Sequence, residues 1–385
     1  MELKDYLLLM IVKSASDLYF TTGAPPSARI NGDLTPLQHT PLKPGYTAEL
    51  ADSIMSDDQK AAFKLKPEMN LAISETGIGR FRVNIFRQRN ETSLVIRHIK
   101  MDIPSLEELA LPRVLNNLVL AKRGLILVTG ACGVGKSTTL AAMIKHRSKA
   151  HAGHIITIED PIEFAHNHDK SIINQREIGL DTNCLSDALE NSLRQSPDVI
   201  VIGEIRDRET MEHALHYADS GHLCLATMHS SNAVQTIERI VHFFPKDQKQ
   251  NILSDLAVNL RAVVGQRLVP DMENGRVPAI EVLLSTPLTS ELIKQDKVDE
   301  LPELMEKSEA QGMQSFDMAL HKLYEEGKIS LDNALRQANS ENNLRIKIKS
   351  VDAAKSWDSG QPLPESKMTL VHDEEDEEEH AGTYI

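Results

Sequence analysis

The stretch Leu125–Thr138, LILVTGACGVGKST, constrains this chain more than any other: an apolar run feeds into Gly130, four further positions, then Gly135, Lys136 and Ser137. This is the spacing of a phosphate-binding loop, G-x-x-x-x-G-K-[ST], with a strand-like segment before it and helix-compatible sequence, Thr138 to Lys145, after it. The chemistry requires these residue types. Glycines let backbone N–H groups turn inward around phosphate oxygens, the lysine ammonium reaches the β- and γ-phosphates, and the serine hydroxyl ligates Mg²⁺. Gly130, Gly133, Gly135, Lys136, Ser137 and Thr138 are therefore the expected phosphate-binding set, and the context makes a chance glycine turn a poor alternative.

Around this loop the chain divides by pattern. Residues 1–100 mix helix-like openings with short alternating runs such as RFRVNIF, Arg80–Phe86, where Phe81, Val83 and Ile85 fall on one face of a strand, as expected for a small α+β domain. Pro104 and Pro112 bracket a short acidic linker, 101–112. Over 113–288, strand-like runs (Leu125–Val128, Ile155–Ile158, Val199–Ile202, Leu223–Ala226) alternate with helical stretches at intervals that suit a parallel sheet in an α/β core. Helical, charged sequence fills 289–349, and 350–385 reads as a disordered acidic tail.

The net charge of −14 is half explained by seven consecutive acids, Asp373–Glu379, which leave about −7 for the body. Lys and Arg are dispersed rather than gathered in a stripe, so no nucleic-acid partner is expected. Cys132, Cys184 and Cys224 fit neither a disulfide framework nor a zinc site, which suits a reducing, cytoplasmic setting. The apolar run Leu7–Val12 is too short for a signal peptide or a membrane span, so membrane association is expected only through a partner.

Four further segments carry chemistry. ITIEDPIE, Ile156–Glu163, ends a strand on Glu159, Asp160 and Glu163, where carboxylates can face a nucleotide at the same sheet edge; acids after a strand are also ordinary turn formers and N-caps. DVIVIGEIRD, Asp198–Asp207, resembles a Walker B strand ending in Glu204, a carboxylate placed to hold the water shell of Mg²⁺. GHLCLATMHSS, Gly221–Ser231, holds His222 and His229, which without context are more readily read as satisfied structural histidines. Arg80, Arg82, Arg87 and Arg97 suggest a solvated strand face or, in an oligomeric ATPase, guanidinium groups that reach a neighbour's γ-phosphate.

Taken in order and spacing, GACGVGKST, ITIEDPIEF, VIGEIRDRET and GHLCLATMHSS resemble the Walker A, aspartate-box, Walker B and histidine-box motifs of the secretion ATPases, specifically the type IV pilus retraction ATPases. The resemblance spans residues 3 to 349 and implies a PAS-like α+β domain, a RecA-like ATPase core and C-terminal helices. The absence of a four-cysteine cluster favours the retraction branch, and NQREIGLDT, GEIRDRETMEHAL, LRAVVGQRLVP and EVLLSTPLTSELI resemble its PilU-type members more than its PilT-type members. At Pro287–Ile293, PLTSELI departs from the corresponding PilT helix.

What the resemblance implies is an ATP-hydrolysing homo-hexamer that promotes pilus retraction and twitching motility as an accessory to a PilT-type paralogue. It would be cytoplasmic and held at the inner membrane through a pilus platform protein. ATP and Mg²⁺ would be held by Lys136 and Ser137, with Glu204 supporting the metal through water. Glu163 would polarise the attacking water, His222 and His229 would position or sense phosphates, and Arg82 and Arg97 would act across a subunit interface. Cys132 and Val134 stand where the family usually has threonine and serine. That altered loop leaves a second reading open, a nucleotide-dependent binding or regulatory module with little turnover, against which Glu163 and Glu204 speak.

Overall fold

The computed structural model describes residues 2–359. Its first layer is an antiparallel sheet built from β1 (Asp17–Thr21), β2 (Ser27–Ile30), β3 (Asp33–Pro36), β4 (Glu68–Glu75), β5 (Gly79–Gln88) and β6 (Glu91–Ile99), in spatial order β3-β2-β1-β6-β5-β4. Period-two alternation sets its two faces. Phe81, Val83 and Ile85 of β5 turn inward and pack with Leu18, Phe20, Leu94 and Ile96 beneath the helix Leu3–Val12. Arg80, Arg82 and Asn84 occupy the other face. Cross-strand register aligns Arg29, Asp17, Arg97 and Arg82 in one row, a ladder of alternating and then like charge.

The second sheet follows the chain through β7 (Gly124–Thr129), β8 (Gly153–Glu159), β9 (Ser171–Glu177), β10 (Val199–Ile202), β11 (Leu223–Met228), β12 (Leu260–Pro270) and β13 (Arg276–Leu284). Its order is β13-β12-β7-β11-β10-β8-β9, parallel throughout except at β13. Helices cover both faces, which is why β7, β10 and β11 read as unbroken apolar runs. Leu125 and Leu127 enter one core, while Ile126 and Val128 enter the other. A parallel sheet puts every strand's C-terminal end at one edge, so the loops after β7, β8, β10 and β11 converge there.

The linker is not slack. Lys100 forms a parallel bridge with Phe164, Ala165 N donates to the Lys100 carbonyl at 3.0 Å, and Lys145 Nζ donates to the Ile103 carbonyl. Ile103, Phe164 and Ala141 form a small apolar cluster.

C-terminal helices pack on the β12–β13 edge. The helix Pro287–Lys294 begins before the expected boundary at 288. The helix Glu341–Ser359 continues through position 350, so the expected tail begins in helix rather than in irregular chain. The remainder of that tail, including the run Asp373–Glu379, lies outside the described residues. Phe316 lies under Gly265, where a Cβ would come within 3.0 Å of its ring, and the Arg267 guanidinium sits 3.9 Å from the Phe316 ring centroid.

Beside this contact Glu281, 2 % exposed, accepts from Ala233 N at 2.5 Å at the start of the helix Ala233–His242. Burial pushes its carboxyl up to about 7, against the Ala233 N–H and the Arg267 charge, with Asp317 adding to the rise. A raised carboxyl favours the folded state fully below its ordinary value of 4.5 and loses that contribution as pH climbs through about 7. The free energy of unfolding should therefore fall between those pH values by on the order of 3 kcal/mol, and Glu281→Gln, which keeps the acceptor for Ala233, should flatten the slope in urea titrations across that window.

Candidate active site

Gly130, Gly133 and Gly135 all have positive φ, at 149°, 77° and 91°. A Cβ on Gly130 would lie 2.5 Å from the Gln266 carbonyl oxygen, so only glycine lets β7 and β12 close against the turn. The helix Lys136–Ala150 starts directly after Gly135 and presents its unpaired N–H groups and positive dipole end to the loop. Lys136, buried, donates through Nζ to the carbonyls of Gly130 at 2.9 Å and Ala131 at 2.8 Å. Burial pulls its ammonium below the ordinary lysine value, against the pull of Cys132, Glu204 and Glu163.

A cavity of about 690 Å³ opens at this edge, lined by Lys136, Ser137, Glu163, Glu204 and His229 among others. His229 links the two chemical ends of the site: its Nδ1 lies 3.3 Å from Lys136 Nζ and its Nε2 3.1 Å from Glu204 Oε1. An ammonium can only donate and a carboxylate can only accept, so this chain assigns the tautomer with the proton on Nε2. Arg206 Nε donates to the other Glu204 oxygen at 2.8 Å. Thr227, on neighbouring β11, donates to the Gly203 carbonyl at 2.6 Å and fixes the turn that carries Glu204.

Glu163 is exposed to the cavity between two buried anchors, Ile162 and Phe164, in the loop that follows β8. Its neighbour Glu159 is not a free acid: Thr157 and Gln175 donate to its Oε1, and burial raises its carboxyl. Gln175 also donates to the Phe164 carbonyl and accepts from His166 N. Burial pushes the His166 imidazole down to about 4, so a neutral ring lines the same cavity.

Thus the loop glycines, Lys136, Ser137, Thr138, Glu163, Glu204 and His229 come together. His222 does not. It precedes β11, at the sheet edge opposite the loop and about 20 Å from His229 at ordinary strand rise, where its Nδ1 meets Ser220 Oγ at 3.1 Å. The two histidines bracket a strand whose six residues place its ends apart, which spacing in sequence alone conceals. Arg97 donates to Asp17 Oδ1 at 2.8 Å within the first sheet, and Arg82 Nε lies 3.6 Å from Glu177 Oε1 at the end of β9. Within one chain, both arginines face carboxylates of their own chain.

Gln266 is a residue that sequence reasoning missed. Buried on β12, it donates through Nε2 to the Val134 carbonyl at 2.8 Å and accepts from Thr139 Oγ1 at 2.8 Å, so it braces the loop and the first turn of its helix together. A polar residue inside the apolar run AVVGQRLV was the available signal.

The chain matches the family model for type II/IV secretion system proteins over residues 4–295. It is 52% identical over 350 residues to the type IV pilus ATPase PilU of Pseudomonas aeruginosa, covering 91% of this chain and 92% of that protein. Against the type IV pilus retraction ATPase PilT of the same organism it is 39% identical over 344 residues, covering 89% and 100%. A crystal structure of the pilus retraction motor PilT with bound ADP superposes with a TM-score of 0.83 at 39% identity, over 90% of this chain and 99% of that one.

Gln266→Leu removes both braces and leaves the Val134 carbonyl and the Thr139 hydroxyl without their partner. It should lower stability by about 1–3 kcal/mol and weaken nucleotide binding by about tenfold, read by thermal unfolding with and without nucleotide and by titration of a fluorescent ATP analogue.

Proposed function

Because this chain belongs to the type II/IV secretion-system protein family, on its type IV pilus ATPase branch, we propose that it is an ATP-hydrolysing motor that promotes pilus retraction. The observation that carries this reading is one cavity lined by the Lys136 ammonium, the Glu163 carboxylate and the His229–Glu204 pair at the edge of a parallel sheet.

Each group has a role its placement supports. Backbone N–H groups of the loop and of the helix after Gly135 would bind the phosphates. Lys136, whose ammonium is held by two loop carbonyls, would exchange them for β- and γ-phosphate oxygens, a better match for a buried cation. Glu163, held at the cavity between buried neighbours, would accept a proton from the attacking water or orient it. His229, donating to Glu204 and accepting from Lys136, would report the state of one to the other. Ser137 and Glu204 line the same cavity and carry hard oxygens of the kind Mg²⁺ takes, so Ser137 would hold the ion and Glu204 would support it through its water shell. Such an ion, when bound, supplies charge neutralisation on the phosphate oxygens.

On the other side of the helix start, a second cavity of about 730 Å³ is lined by Thr138, Leu111, Leu268 and Met272, among others. Thr138 lines both cavities. A nucleotide with its phosphates on the loop would place its base there, between the linker and the β12–β13 turn.

The finer reading is a homo-hexamer of the PilU type, accessory to a PilT-type paralogue, in the cytoplasm and held at the inner membrane through a pilus platform protein. Among the described residues no helix is long and apolar enough to cross a membrane. The likeness to PilU, higher than that to PilT over a similar span, supports the accessory role.

Purified protein should turn over ATP, and Glu204→Gln and Glu163→Gln should each lower kcat by about 10²–10⁴-fold while nucleotide still binds. Steady-state phosphate release measures this. Equal turnover in wild type and both variants would count against the motor; binding with no turnover in any of them would favour the regulatory module.

A further inference from the structure

Glu177 closes β9, and its side chain is 1 % exposed. Its Oε2 accepts from Ile162 N at 3.2 Å, one residue before Glu163. Its Oε1 has no hydrogen-bond donor, and faces Arg82 Nε of the first sheet at 3.6 Å. A buried carboxylate with one oxygen on a backbone N–H and the other facing a cation without a hydrogen bond lacks part of its natural complement. Arg82 is also in need of an anion. It stands directly across from Arg97 on the same face of the first sheet, and Asp17 takes Arg97. Like charges opposite each other on adjacent strands repel, and the Glu177 carboxylate at 3.6 Å offsets that repulsion at Arg82.

The loop that carries Glu163 is thereby held from three sides. Glu177 holds Ile162 N, Gln175 holds the Phe164 carbonyl and His166 N, and Lys100, at the entrance to the linker, pairs with Phe164 and accepts from Ala165 N. Two of those contacts, Arg82 through Glu177 and Lys100 directly, belong to the first sheet and its exit. We propose that Glu177 is a positioning residue through which Arg82 sets the placement of the Glu163 loop within the same chain, so that movement of the N-terminal sheet is read at the water-activating carboxylate. This rests on the motor reading above for the role of Glu163, but the contact itself does not.

The partition between the two is experimental. In the full-length protein, Arg82→Gln and Glu177→Gln should each speed amide exchange of residues 160–166 by about tenfold, the size expected for losing one charged contact. Each should lower kcat by about tenfold while affinity for a non-hydrolysable ATP analogue stays within twofold. The double variant should be no worse than the more affected single variant, and Arg82→Lys should recover part of the protection. Unchanged exchange in 160–166, additive losses in the double variant, or an exchange effect of Arg82→Gln that vanishes on dilution to monomer would each overturn the proposal; the last would mean that Arg82 acts on a neighbouring copy. Should Glu177→Gln fail to fold, Arg82→Gln, whose side chain is partly exposed, still decides through the same exchange measurement. Wild-type turnover in Glu163→Gln, with exchange responding as expected, would sink the catalytic reading of Glu163 and leave the relay standing.

Discussion

An ammonium buried at the edge of a parallel sheet is what the rest of this molecule is arranged around. Lys136 cannot be left in a low-dielectric site without acceptors, so the glycine turn aims two carbonyls at it and His229 supplies a third lone pair. The turn that carries those carbonyls has positive φ at Gly130, Gly133 and Gly135, and β12 approaches Gly130 so closely that a Cβ there is excluded. Once Lys136 is placed, the parallel register brings Glu204 and Glu163 to its side without further design, since both follow strands that end at the same edge.

Much of this was legible in the sequence, for a physical reason. The strands β7, β10 and β11 are covered on both faces and appear as apolar runs, β8 is marked by Ile155, Ile156 and Ile158, and the loops after them carry the residues whose types the chemistry dictates. Phe81, Val83 and Ile85 were legible in the first sheet because one of its faces is buried, which stamps a period of two on the chain. What failed to show was direction across the sheet. His222 and His229 look equivalent in GHLCLATMHSS, yet a parallel strand has two unlike ends, and only the residue after it meets the loop.

Residues that act through others were invisible for a different reason. Gln266 and Glu177 hold the loops at Val134 and Ile162 by side chain to backbone bonds, and backbone groups leave no trace in sequence. Their side-chain partners, Thr139 and Arg82, lie far away in the chain, so no local spacing marks the pairs. The attachment of the segment around Lys100 was not legible either: Lys100 pairs with Phe164 and accepts from Ala165 N through main chain on both sides.

Two consecutive residues of β12 show how the C-terminal helices join the same arrangement. Strand alternation sends Gln266 toward the glycine loop and Arg267 the other way, where its guanidinium lies over Phe316, donates to the Gln337 carbonyl and to Asn339 Oδ1, and reaches the Ser231 carbonyl at 3.4 Å. Ser231 is two residues beyond His229. The C-terminal helices thus meet the nucleotide edge from the β12 side, while the N-terminal sheet meets it from the β9 side, the far end of the same parallel array. The site is therefore gripped at both margins by parts of the chain that contribute none of its proposed chemical groups apart from Arg82's indirect hold, and the geometry of catalysis is shared with the geometry of the whole protomer.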